Sequence, residues 1–510
     1  MPSIKTMLLA GASAVLLAGA FASPASAATL ASGGGSSLIA PYMAQAFGAY
    51  GGGGPATATP AFSSPPVTSS TFATTQDRVQ LWTQGAGAAT QVGAVSSITN
   101  PNTTDFLTYL SSNSGGGITG VYTGFAANLG TATPNFSRLG SPNFGFSDLA
   151  LTAADIGIWN AGGSDTTFPS GFSFASGGTA SGGPGVYEIP GNLFGALIQI
   201  PDAIVPIALA VNSASLNNIQ TIDTKVHLTK ALYCAIFNGQ ITDWSDPAFD
   251  AVNGGTPYST TSLHITLVGR TDGSGTSSIF QTHLATVCAS GNAFGYTGPN
   301  FYTTTIPQNL PTAVKPGGSS ANPFTTLQSG SGGVQSTVLA TAGAIGYIGP
   351  DFLLGTPTGN LDFAELQEGT SATSFLAPNA TTASTAFGTA SPPQSNSDGT
   401  YNHTAPGDRT SPADWVPVTA NPTSGYPITG TTNIVTFSDQ GSTAAALLVT
   451  PSSGSSAGGF LTYYYCNASG PGSILSVNNL AELPPAWKTA VCQTFINTVT
   501  ATAPLALNIH

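Results

Sequence analysis

The run Leu197-Ile-Gln-Ile-Pro-Asp-Ala-Ile-Val-Pro-Ile-Ala-Leu-Ala-Val211 is apolar almost throughout. A strand with one face in water alternates polar and apolar residues, so this run predicts a strand buried on both faces, in a sheet covered by helices. Helix and strand signals alternate after it. Leu228, Leu232, Ala235 and Ile236 recur at helical spacing, which predicts a helix over 224–237. Leu263–Gly269 reads as a strand, Arg270–Ser278 as a Gly-rich turn and Ile279–Val287 as a helix. A last helix opens at Pro484-Pro485 and runs toward Phe495. Such alternation implies an α/β fold with largely parallel sheets.

The chain has 510 residues with 41% hydrophobic content, enough to exclude disorder and to build two to four domains. Only 6% of residues are charged, against about 25% in an average soluble protein, and the net charge is −12. Nine scattered basic residues cannot form a phosphate-backbone patch, which excludes a nucleic-acid partner. Any anion must be held by local dipoles and one Arg.

Residues 1–27 combine Lys5, an apolar stretch from Met7 to Phe21 and the ending Ala25-Ser26-Ala27, the pattern of a cleaved signal peptide. No later run offers the roughly 20 apolar residues of a membrane span, so the mature chain is expected to be periplasmic or secreted. Cys234, Cys288, Cys466 and Cys492 allow two disulfides in three connectivities. Neighbours in sequence close the shorter loops, favouring Cys234–Cys288 and Cys466–Cys492. Residues 50–72, 160–186 and 370–412 read as Gly/Pro/Ser/Thr-rich loops.

Three turns share one composition: Gly33-Gly-Gly-Ser-Ser37, Ser114-Gly-Gly-Gly117 and Asp272-Gly-Ser-Gly-Thr276. Each precedes a plausible helix, with Ser36 or Ser37 as the cap of the first. Gly admits close approach of a ligand, hydroxyls donate, and the first N–H groups of a helix lack internal partners, so such ends bind anions. Arg270 stands four residues before Ser274 and its fork can grip an oxyanion, while Asp272 can pair with it and fix its geometry. Rival chemistry is thin. Gly454-Ser-Ser-Ala-Gly458 fits G-x-S-x-G without a preceding strand. The five His (227, 264, 283, 403, 510) form no metal-spaced pair, so neither a metal nor a cofactor is expected.

Gly33-Gly-Gly-Ser-Ser-Leu-Ile-Ala-Pro41 resembles a G-x-G-A-T-[FL]-P-x-[PK] loop, Phe144-Gly-Phe-Ser-Asp148 resembles F-G-A-S-D, and Ile200-Pro-Asp-Ala-Ile-Val205 resembles F-P-T-V-I-G. Ile236–Trp244 is similar to I-[YF]-x-G-x-I-x-x-W, and Arg270-Thr-Asp-Gly-Ser-Gly-Thr-Ser277 to R-x-D-G-S-G-T-S. Ala342–Phe352 and Tyr426–Asn433 continue the match. These motifs, in this order, belong to the periplasmic phosphate-binding proteins of ABC transporters (PstS type) and above all to the related DING proteins, whose disulfide the Cys234 and Cys288 contexts also resemble.

The resemblance implies a two-domain periplasmic-binding-protein fold of type II. Domain I would be 28–204 plus 427–510 and domain II 205–426, with two hinge crossings. It implies high-affinity binding of inorganic phosphate in the interdomain cleft by a monomer, for uptake through an ABC permease in the inner membrane, and no enzymatic activity. The implied ligands are Ser37 and the backbone of Leu38, Ser114, Asp148, and Arg270, Ser274, Gly275 and Thr276, supported by Asp272. Asp148 would accept from a protonated phosphate oxygen and repel sulfate. Ser37 stands where the family has Thr, and Asn113-Ser114-Gly115 replaces a Ser-Ser pair. The alternatives are a secreted phosphatase or a surface structural protein on the same fold. Few charges also predict tolerance of acid.

Overall fold

The computed structural model describes residues 30–39, 42, 43, 46, 79–83, 106–111, 113–123, 142–151, 153–161, 163–165, 187–189, 195–237, 239–288, 324–353, 361–388, 390–393, 411–417, 419–438, 459–466 and 472–496. The signal-peptide pattern, the loop 50–72, the segment 454–458, His403 and His510 lie outside them.

In chain order the elements are β1 (Leu30–Gly35), β2 (Val79–Thr83), β3 (Phe106–Ser111), α1 (Ser114–Thr123), β4 (Phe144–Ser147), α2 (Ala153–Ala161), β5 (Gly163–Asp165) and β6 (Tyr187–Ile189). Then follow β7 (Leu197–Pro206), β8 (Ala208–Val211), β9 (Val226–Leu228), α3 (Lys230–Phe237), β10 (Thr266–Arg270), α4 (Gly275–Val287), β11 (Phe324–Gln328) and α5 (Gly330–Ala340). The chain continues through β12 (Ala344–Ile348), β13 (Asp362–Gln367), β14 (Phe375–Leu376), α6 (Ala380–Phe387), β15 (Thr429–Phe437), α7 (Gly472–Val477) and α8 (Pro485–Val491). One sheet has the order β2-β3-β1-β4-β15-β7. The other runs β11-β10-β12-β8-β13-β14, with β9 on β13, and β5 pairs β6 alone.

The apolar run at 197–211 is not one strand. It is buried on both faces throughout, but β7 belongs to the first sheet and β8 to the second. The chain passes from sheet to sheet at Pro206–Ala208 and returns before Thr429. The two passages bind each other: Ile207 N–H donates to Ile428 O at 2.8 Å and the Tyr426 hydroxyl to Ile207 O at 3.0 Å. The strands leaving these passages run against their neighbours, β15 antiparallel to β4 and β7, and β8 to β12 and β13. The sheets are therefore mixed rather than largely parallel.

Two other expectations are corrected. Val226 and Leu228 point into the core from β9, so the helix expected over 224–237 begins only at Lys230. The stretch read as loop over 370–412 holds β14 and α6, because Asn379 forms a reciprocal capping box with Thr382. The disulfides join Cys234 to Cys288 and Cys466 to Cys492, with Cα atoms 5.8 and 5.4 Å apart.

Glycines let β1, α1 and β4 meet main chain to main chain. A methyl at Gly117 would lie 2.3 Å from Phe146 O, one at Gly145 2.1 Å from Gly117 O, and one at Gly35 2.7 Å from Gly117 Cα. Gly→Ala inside a helix ordinarily stabilises by about 0.5–1 kcal/mol. At exposed Gly157 in α2, where nothing lies within 4 Å of the added methyl, that gain is expected. At Gly117 the sign reverses, with a loss of about 3 kcal/mol from the clash, read by denaturant unfolding of both variants.

His283 on α4 is fully buried, its Nδ1 2.8 Å from Ala420 O and its Nε2 2.8 Å from the Tyr233 hydroxyl. A carbonyl only accepts, so Nδ1 carries the proton and Nε2 accepts from Tyr233. Burial lowers its pKa to about 4. The unfolded chain takes up this proton near pH 6.5 and the native protein only near 4, so stability falls as pH drops through that window. The His283→Gln variant is expected to lose that part of the pH dependence, about 3 kcal/mol, when unfolding is measured from pH 7 to 4.

Candidate anion-binding site

The close contact of β1, α1 and β4 sets two strand ends and a helix start side by side. Ser36 follows β1, and its main chain is tied down from both sides, by N–H donation to Phe146 O at 2.9 Å and by the Tyr109 hydroxyl on its carbonyl at 2.6 Å. Its hydroxyl faces Asp148, just past β4, with 2.8 and 3.0 Å to the two carboxylate oxygens. Ser114, the first residue of α1, donates its hydroxyl to Asp148 Oδ2 at 3.1 Å and accepts from Asp148 N–H at 3.3 Å. Asn113 caps that helix through Gly116 N–H at 2.7 Å.

The second sheet supplies the other side. Arg270 ends β10 and Ser274 caps α4, accepting from Ser277 N–H at 3.2 Å. Gly275 and Thr276 occupy the first turn, where N–H groups have no partner within the helix. Gly275 abuts the first side directly: a methyl there would lie 2.6 Å from both Asp148 Cβ and Ser114 Oγ. A main-chain bond from Gly115 N–H to Gly273 O, 3.0 Å, joins the second and third turns.

Arg270 is 1% exposed. Its Nε and Nη2 donate to the two oxygens of Asp272 at 2.7 and 2.5 Å, and Nη2 lies 3.4 Å from Ser37 Oγ. Burial alone would lower its pKa, but the Asp272 charge outweighs it and holds the guanidinium charged. Its Nη1 has no hydrogen-bond partner among the described residues. Asp148 is raised above the ordinary carboxylate range by burial, against the opposing pull of the Ser36 and Ser114 hydroxyls and of Arg270. Asp351, which follows the stretch where Gly349 meets Leu38, is raised by burial and then by the charge of Asp148.

The site residues read from the sequence thus lie on these turns, with two differences in role. The Ser114 hydroxyl, expected at the anion, donates to Asp148. The Leu38 N–H, expected at the anion, donates to Ser36 Oγ at 3.2 Å, because a Ser at 36 offers it an acceptor two residues back. Ser36 escaped the reading as a site residue, although it stands where the resembling motif has Ala. A fourth turn of the same composition, Ser329-Gly-Ser-Gly-Gly333, also escaped the reading. It opens α5, where Gly330 N–H donates to Asp272 at 3.2 Å and Ser331 N–H to Ser37 Oγ at 3.3 Å.

Chemically this is a water-excluding enclosure of hydroxyls, helix starts and one fixed guanidinium, suited to a small oxyanion, with one carboxylate that can only accept. No histidine hydrogen-bonds to Ser36, Ser37, Ser114, Ser274 or Thr276 among the described residues.

The family model described as the PBP superfamily domain matches residues 22–467. An "Alkaline phosphatase L" of Pseudomonas aeruginosa is 28% identical over 321 residues, covering 60% of this chain and 69% of its own. A "Phosphate-binding protein" from an unknown prokaryotic organism is 28% identical over 334 residues, covering 62% and 76%. Among solved structures, a high affinity periplasmic phosphate-binding protein named PfluDING superposes with a TM-score of 0.58 at 19% identity, over 94% of this chain and 96% of that one. A phosphate binding protein of Stenotrophomonas maltophilia gives 0.53 at 22%, over 94% and 97%. At these identities the likeness is one of fold, and it agrees with two mixed sheets joined by paired crossings. With the family model matching most of its length, the chain belongs to the PBP superfamily of two-domain α/β binding proteins.

Proposed function

We propose that this chain is an exported phosphate-binding protein, which takes up inorganic phosphate between its two domains and passes it to an ABC permease of the inner membrane. The observation that carries this reading is Arg270: a fully buried guanidinium, locked by Asp272, whose Nη1 has no partner among the described residues. An unpaired buried charged donor is costly, and an anion satisfies it. Phosphate oxygens take Arg270, the hydroxyls of Ser37, Ser274 and Thr276, the hydroxyl of Ser114 once it turns from Asp148, and the N–H groups of Gly275 and Thr276. The names of the relatives support this choice of anion.

Domain I comprises 28–204 and 427–510, and domain II 205–426. The bonded passages at Ile207 and Ile428 lie beside both boundaries and act as the hinge. Among the described residues no helix is long and apolar enough to cross a membrane. The name "alkaline phosphatase" on several relatives raises hydrolysis as a second reading. Hydrolysis requires an activated nucleophile; the base on the Ser36 and Ser114 hydroxyls is the Asp148 carboxylate, and among the described residues no histidine reaches a site hydroxyl. Purified protein is expected to release no nitrophenolate from p-nitrophenyl phosphate; sustained turnover would establish the enzyme.

Calorimetric titration of phosphate-stripped protein tests the assignment. Wild type is expected to bind phosphate and arsenate but not sulfate, because Asp148 finds no proton on sulfate at neutral pH. Asp148→Asn is expected to lose that discrimination. Equal affinity of wild type for sulfate and phosphate contradicts the reading.

Asp272→Ala leaves Arg270 buried and unpaired and is expected to cost about 3–5 kcal/mol of stability. Phosphate should restore part of it by binding the folded state, and the pair Arg270→Met with Asp272→Leu should recover most of it without phosphate. Thermal unfolding with and without phosphate separates these outcomes.

A further inference from the structure

Outside this site, one cluster of chemically competent side chains stands out on the second sheet. β9 and β13 run parallel with His227 and Glu365 as register partners. Val226, Leu228, Ala364 and Leu366 point into the core, so His227 and Glu365 stand together on the opposite face. The turn before β9 brings Asp223 to the same point. Its Oδ2 is 3.0 Å from His227 Nε2, and Glu365 Oε2 is 3.5 Å from that same nitrogen. One ligand atom from each residue lies within 4.8 Å of the others.

Nε2 can donate a single proton, yet two carboxylates in contact with each other converge on it. Hydrogen bonding to the imidazole therefore leaves one carboxylate facing another. The neighbouring cation does not resolve this, because Lys225 is committed to Asp362 at 2.5 and 2.6 Å. A metal ion does. A tetrahedral ion with bonds of about 2.0–2.2 Å keeps its ligand atoms about 3.4 Å apart, close to the spacings present.

The imidazole is also preset. Its ring stacks on Phe375, with centroids 4.4 Å apart and planes 10° off parallel. Its main chain is held at both ends by the Tyr258 hydroxyl, which accepts from His227 N–H at 2.7 Å and donates to His227 O at 3.0 Å. Sequence spacing did not reveal the group because Glu365 arrives from a strand 138 positions further on (365 − 227).

We propose that Asp223, His227 and Glu365 bind one divalent transition-metal cation of the zinc class, with solvent completing its coordination on the side where Asp223 is exposed. The ion ties the 221–225 turn to β13, and it uses none of the side chains assigned to phosphate.

The test is a titration of chelator-treated full-length protein with Co2+ and then Zn2+, in phosphate-free buffer, read by the visible absorption of bound Co2+ and by calorimetry. Wild type is expected to bind one equivalent saturably, with Zn2+ displacing Co2+. His227→Gln, Glu365→Gln and the exposed-site variant Asp223→Asn are each expected to weaken binding at least tenfold, while phosphate titrations of the same variants stay within twofold of wild type. Absence of a one-equivalent transition in wild type overturns the proposal, as does weakening below tenfold in all three variants.

Discussion

The contact of Gly35, Gly117 and Gly145 is the constraint on which the site depends. Backbone from β1, α1 and β4 meets with no side chain between, at separations that a single methyl would violate. Only this approach places the hydroxyls of Ser36 and Ser114 on one carboxylate, Asp148. Gly275 repeats the device from the side of the second sheet, bringing the start of α4 against Asp148 and Ser114. The Gly excess in the composition therefore has a specific component: a few glycines hold polar main chain at distances that other residues cannot reach.

Charge is scarce in this chain, and the most buried ion pair among the described residues is placed where it has most effect. Arg270 and Asp272 are taken out of water together, and the cost of doing so is not recovered by their attraction alone. What the pair gains is geometry. With Nε and Nη2 fixed on Asp272, the remaining nitrogen points in one direction only. Asp272 also accepts from Gly330 N–H, so one carboxylate holds both the guanidinium and the start of α5 in place.

The sequence made the site more legible than the fold. Turn composition, a lone Arg and a nearby Asp are local signals, and they identified side chains that the structure brings together. Ser36 was hidden by its neighbour, because a capping role accounted for either Ser of the pair. Ser329–Gly333 was hidden by its abundance of kin in a Gly- and Ser-rich chain. The errors of fold were errors of partner. Hydrophobicity showed that 197–211 is buried on both faces but could not show that two sheets share it. In the same way Leu228 fits the helical spacing of Leu232, Ala235 and Ile236 and equally the strand alternation with Val226, and pairing with β13 decided between them.

The acid tolerance expected from few charges rests in the structure on where the acids lie rather than on how few there are. Burial raises the pKa of Asp148, Asp202 and Asp351 above the ordinary carboxylate range. A carboxyl raised in the folded state takes up its proton before the unfolded chain does, so acidification through that range stabilises the native form. The stabilisation disappears as pH rises through the folded value, because each group must then ionise away from water. His283 opposes this, since it stays neutral in the fold to about pH 4. The acid response is thus a contest between buried carboxyls that gain on protonation and groups that resist it, the buried imidazole of His283 together with Asp223, Asp243 and Glu368, whose hydrogen bonds hold them below the ordinary carboxylate range. In the binding mode proposed above, the same burial at Asp148 serves recognition, because desolvation makes a lone acceptor sensitive to whether the oxygen opposite carries a proton.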